Sequence, residues 1–177
     1  MNRIIQITFL ALTLVLVSGC KVETRPDNHV LRVSFSPAHF DDWGWAAATA
    51  MVFDFNDTYY SQTEVVDYHY YHYGYDDVSI NDISLLLWEI GGIDSYITGT
   101  LSFREIRTHI NSGNPILLHY GDYYNGQYML LHGYDDNGYI YLHDPDYGTR
   151  IIHYEDLFLQ EFYGLGNYWS SSLIILD

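Results

Sequence analysis

An α+β fold, helices first and an antiparallel sheet behind them, is what this sequence predicts. Three observations lead there. Four segments between about residues 43 and 113 repeat apolar side chains at helical spacing, most of them behind a capping residue. From residue 115 onwards, short β-favouring runs follow one another, parted by turn residues. No internal repeat and no second linker divides the chain, and 177 residues suit one domain of ordinary size.

The first helix is expected from about Trp43, with Asp41 or Asp42 as its cap. Ala46, Ala47, Ala48 and Ala50 in WGWAAATAMVFDF let it lie close against its neighbours, as a buried central helix must. Ser61-Gln62-Thr63-Glu64 has the form of a capping box and opens a second helix through Val65, Val66 and a Tyr/His run. Asn81 or Asp82 is expected to open a third, apolar at Ile83, Leu86, Leu87 and Ile90 and stopped by Gly91-Gly92. The fourth, SFREIRTHINSG, aligns Phe103, Ile106 and Ile110 and ends at Gly113. The expected strands are Pro115–Tyr120, Tyr128–Tyr134, Tyr139–His143, Thr149–His153 and Ser172–Leu176. Asp136-Asn137-Gly138 between the second and third is a strong hairpin signal.

Composition narrows the function. Hydrophobic residues make up 48% and charged residues 17%, enough for a real core and unlike a disordered chain. Seven Lys and Arg against 23 Asp and Glu leave a net charge of −16, which disfavours nucleic acid and adsorption to anionic lipid through a basic patch. Nineteen tyrosines exceed what one sheet needs, and Tyr with Asp and Asn is the chemistry of a peptide- or glycan-binding groove.

The single cysteine, Cys20, excludes an intrachain disulfide and a multi-cysteine zinc site. Residues 1–19 join Arg3, an apolar run from Ile4 to Val17 and the small pair Ser18-Gly19, the form of a secretory signal. Val17-Ser18-Gly19-Cys20 resembles a bacterial lipobox, which implies a palmitate-bearing Cys20 as the mature N-terminus and a lipid anchor in the cell envelope. Lys21 after the cysteine favours the outer membrane where two membranes exist. Residues 20–29 then form the acylated N-terminus and tether, and 30–177 the domain.

Taken together, WGWAAATAMV, SQTEVVDYH, LSFREIRTHINSGNPILLHYG and GQYMLLHGYDDNGYIYLHDPDYG resemble the papain-like cysteine peptidase superfamily. The nearest patterns are the bacteriocin-processing and AvrRpt2-like peptidases, over about Phe35 to Gly148. The resemblance implies a nucleophilic Cys at the head of the central helix, where dipole and free N–H groups stabilise a thiolate and then an oxyanion. It also implies an upstream Gln, a His on the strand after a Gly-rich turn, and an Asp or Asn in a DP turn that orients the His.

At those positions this chain holds Gly44 for the nucleophile and Gln127 for the base, and SPAHFDD contains no Gln; only Asp144 of Asp144-Pro145 is kept. Gly44 has no side chain, and Gln127 accepts no proton at neutral pH. His132 is five residues from Gln127, so alternation sends it to the opposite sheet face.

The resemblance therefore implies a degenerate domain that binds a peptide or protein ligand in the former cleft, a basic one given the charge. Asp42, Trp43, Trp45, Gln127, Tyr128 and Asp144 are its expected lining. A hydrolase working through Asp41 or Asp42 with Asp144 or a nearby His is the competing class, and a structural envelope protein the third. No cofactor and no metal is expected: His69 and His72 in DYHYYHYGYDD lack a third ligand fixed by spacing, and Asp135 to Gly138 serves better as a turn than as a calcium loop.

Overall fold

A computed structural model describes residues 28–74, 77–121, 126–159 and 168–176. Four helices and seven strands follow in order: β1 (Asn28–Val30), α1 (Gly44–Phe55), α2 (Gln62–Tyr73), α3 (Ile80–Gly91), β2 (Ser95–Thr98), α4 (Phe103–Asn111), β3 (Ile116–Gly121), β4 (Gly126–Asp135), β5 (Tyr139–Asp144), β6 (Gly148–His153) and β7 (Trp169–Ile175). A 3-10 turn, Tyr154–Phe158, follows β6. The class is α+β as expected, and every strand pair among the described residues is antiparallel.

The sheet runs β2-β7-β3-β4-β5-β6. β3 pairs with β4 as far as Leu131, and β1 takes over the same flank from Gly133 to Asp135. Gly133 makes that approach feasible, since a Cβ there would stand 2.9 Å from the His29 carbonyl oxygen. β1 and β2 are additions to the expected strands. They are short, and NHV and SYIT carry little apolar pattern, so their pairing is set by the sheet. β1 begins at Asn28, inside the stretch read as tether.

Side chains alternate between two cores. Leu117, Tyr128, Leu130 and Leu173 join α1, α2 and α3, whereas Leu118, Met129, Leu131 and Ile174 join α4 and the 3-10 turn. α1 is the central helix, with Ala46, Ala47, Ala48, Val52 and Phe53 fully buried, so the small residues do permit close packing.

Three helix heads are closed by complete capping boxes: Ser61 with Glu64, Ser79 with Asp82, and Ser102 with Glu105. Ser79, rather than Asn81 or Asp82, caps α3; Asp82 is the box partner three residues on and returns a bond to the Ser79 backbone N–H at 2.8 Å. Gly92 ends that helix in the left-handed conformation. The head of α1 differs. Its cap residue is Trp43, and neither Asp41 nor Asp42 caps it.

The strap from β1 to α1 is held on the sheet instead. His132 Nδ1 donates to the Leu31 carbonyl at 3.2 Å and His143 Nε2 to that of Val33 at 3.0 Å. Thr149 Oγ1 and His143 Nδ1 are hydrogen-bonded at 3.0 Å, which orients that ring. The two rings stack at 4.0 Å, on the face opposite Gln127 as the alternation predicted. Burial, and then the neighbouring His143, push His132 down to about 4.

Candidate functional site at the head of the central helix

The strap reaches α1 through Ser36 to Asp41. Buried Gln62, the first residue of α2, holds it: Oε1 accepts the His39 N–H at 3.0 Å, and Nε2 donates to Ser36 Oγ and the Pro37 carbonyl. Ala38 N–H donates to the Pro145 carbonyl at 2.9 Å, which joins the strap to the turn after β5. Phe40 packs edge-on against Trp43.

That turn is built by Asp144. Its buried carboxylate accepts the N–H groups of Asp146 and Tyr147 through Oδ1, and Oδ2 lies 3.4 Å from Arg150 Nη1. Asp144 thus holds the turn through Oδ1 and Arg150 of β6 through Oδ2, and the turn presents Asp146 to the helix. A Cβ at Gly44 would stand 3.6 Å from Asp146 Oδ2, so the first residue of α1 faces a carboxylate. Partial burial, with the Asp144 and Asp41 carboxylates beside it, raises the Asp146 pKa above its ordinary value.

Strap, turn and the open end of β4 enclose a cavity of about 430 Å³. Gln127, His39, Asp41, Pro145, Asp146 and Tyr147 line it. Gln127 Oε1 is buried and meets no donor among the described residues. A second cavity of about 440 Å³ lies beyond the strap, between Ser34–Ser36, Met51, Asp54 and Tyr59–Gln62, and His39 borders both. Acceptors dominate the first cavity, so its chemistry suits a ligand that brings hydrogen-bond donors.

The structure brings Gln127, Asp41 and the Asp144–Tyr147 turn together at the head of α1. It separates two other expected lining residues from them. Trp45 is buried with its ring 5.2 Å from that of His69. Tyr128 is buried on the helix side of the sheet, donates to the Val78 carbonyl at 2.8 Å and stacks on His119. Both are core residues. Trp43 is half-buried, and Asp42 is exposed. Cys20 lies outside the described residues, as do parts of the Tyr/His segment. His69 points into the core while His72 stands on the surface, so the two imidazoles do not face one another. Asp135 Oδ1 accepts from Asn137 and Tyr139 N–H groups, as a turn residue does.

His39, Asp146 and Tyr147 carry no signal of their own in the sequence. They sit on loops, and only the DP turn beside Asp146 hinted at them.

Against known proteins, residues 39–171 match the family described as Peptidase_C39 like family, well over half of the chain. The chain belongs to that family. The C39-like chain is also similar to solved structures. A double glycine motif protease from an AMS/PCAT transporter, in complex with its leader peptide, superposes with a TM-score of 0.58 at 15% identity, covering 82% of this chain and 92% of that one. A Bacillus anthracis protein described as a C39-like peptidase gives 0.64 at 12% identity, covering 85% and 98%. UfSP from C. elegans gives 0.54 at 16% identity, covering 85% of this chain and 34% of that one. At these identities the likeness shows the papain-like fold. No curated protein gave a significant match.

Proposed function

We propose that this C39-like chain binds a peptide or protein segment at the head of α1 without cleaving it, as a lipoprotein anchored through Cys20 in a bacterial envelope. The observation that carries the reading is Gly44. At the place where the family resemblance puts a nucleophile there is no side chain, and the Asp146 carboxylate stands 3.6 Å from where a Cβ would be. Gln127, at the place of the base, has an amide that neither takes nor gives a proton at neutral pH. Peptide N–H groups are the donors that buried Gln127 Oε1 and the Asp41 and Asp146 carboxylates call for. The leader peptide bound to the double glycine motif protease supports a polypeptide as the ligand class.

Asp146 favours a second reading. Its raised pKa and the nearby Asp41 form a carboxylate pair suited to general acid–base hydrolysis. One experiment separates the two. The full chain, incubated with extended peptides, is expected to bind and to show no turnover and no labelling by thiol-directed probes at any position other than Cys20. Gly44→Cys with Gln127→His is expected to gain a weakly reactive thiol. Turnover by the natural chain that Asp146→Asn abolishes would replace binding by hydrolysis. The anchor is tested separately: Cys20→Ser is expected to release the protein from membranes.

A further inference from the structure

The helical half carries a sharp charge asymmetry. From Val33 to Phe103 the sequence holds eleven acidic residues and neither lysine nor arginine. On its outer surface α2 buries Val65, Val66 and His69 inward and sets Glu64, Asp67, Tyr68 and Tyr71 on an outer stripe at helical spacing. With Tyr60 and His72 as walls and Ile90 of α3 beneath, they enclose a groove of about 450 Å³, away from the head of α1. Tyr71 is 85% exposed and so free to meet a ligand.

The rings are held in place. His72 stacks on Tyr68 at 4.0 Å and donates Nδ1–H to the Tyr68 carbonyl at 2.9 Å; Tyr71 meets His72 edge-on at 4.9 Å. Tyr68 Oη donates to Glu89 Oε2 at 3.3 Å, and Tyr73 Oη bonds the same carboxylate. Ring faces and carboxylates both attract cations, and the sequence from Val33 to Phe103 holds no lysine or arginine to answer them. An arginine or lysine side chain matches the groove twice, its stem on the rings and its charged head beside Glu64 and Asp67.

We propose that the Tyr68–Tyr71 groove docks an arginine- or lysine-rich polypeptide segment, at a surface separate from the cavity at α1. Charge complementarity selects this occupant, since a nucleic acid or an anionic membrane would be repelled by the same carboxylates.

The test titrates the full chain with octa-arginine at low and at physiological salt, following heat or tyrosine fluorescence. Tyr71→Ala, at an exposed position and without change of charge, is expected to weaken binding about two- to fivefold. The equally neutral Tyr139→Ala, at the exposed start of β5, is expected to leave it unchanged. Equal affinity of natural chain and Tyr71→Ala would overturn the proposal, leaving octa-arginine held by the overall field alone. Loss on Asp146→Asn instead would move the basic ligand to the cavity at α1. Self-association without peptide, abolished by Tyr71→Ala, would give the groove to a second copy.

Discussion

The head of α1 and the heads of α2, α3 and α4 solve the same problem in opposite ways. Each of the three latter helices closes its first turn with a serine hydroxyl and a reciprocal carboxylate within four residues of chain. α1 has no side-chain cap. Its approach is fixed from a distance, by imidazoles under the strap, by Gln62 of the next helix and by the Asp144 turn. A local cap ends a helix and fills the space at its end. Remote support leaves that space open, and the cavity lies there.

Acid is the largest expected perturbation of this contrast. The folded pKa of His132, about 4, lies below the unfolded value of about 6.5, so the unfolded chain takes up the proton first as pH falls. Its contribution is therefore complete above about pH 6.5 and lost between there and about pH 4, on the order of 2 kcal/mol. Glu64 and Glu105, held below their ordinary values by their serine partners, give way only at lower pH. Thermal melts from pH 7 to 4 should show the early loss in the natural chain and a flatter curve in His132→Gln. Identical curves would remove the imidazoles from the support of α1.

Breaking a local cap should come next. Ser79→Ala removes a buried hydroxyl from its box and is expected to cost about 1–2 kcal/mol, whereas Asp42→Ala at α1 should stay within about 0.5 kcal/mol of the natural chain. Chemical denaturation measures both, and comparable losses would mean that Asp42 supports α1 after all. The smallest effect has the opposite sign. Gly44→Ala meets only ordinary contact distances and should stabilise by about 0.4–1 kcal/mol, so a destabilised variant would show that the head of α1 has no spare room.

The same contrast explains what was legible in the sequence. Ser61 announces its helix because its box closes within four residues, with Glu64 where the pattern expects one; the Ser102 box has the same form but the fourth helix is read from its apolar stripe. Ser79 is less legible because its partner is the shorter Asp82. The five main strands were visible in their apolar runs, while β1 and β2 depend on partners far along the chain. At the candidate site, Gly44, Gln127 and Asp144 could be placed because they ride on a helix and on strands of recognisable pattern. His39 and Asp146 could not, since loop residues acquire neighbours only through the tertiary fold. Tyr128 and Trp45 were assigned to the groove by closeness in sequence, but each points away from its neighbour into the core.

The carboxylate opposite Gly44 also sets the terms on which this scaffold could acquire nucleophilic chemistry. A sulfur at position 44 would lie within contact range of Asp146, and a thiolate forming there would meet a like charge in a partly shielded site. The dipole of α1 would pull the thiol's acidity one way and Asp146 would push it the other. Gly44→Cys and Gln127→His are thus coupled to a third position. With Asp146→Asn added, the expected outcome is a thiol that ionises at lower pH than in the double variant, a sequence-distant form of epistasis that a single substitution would never expose.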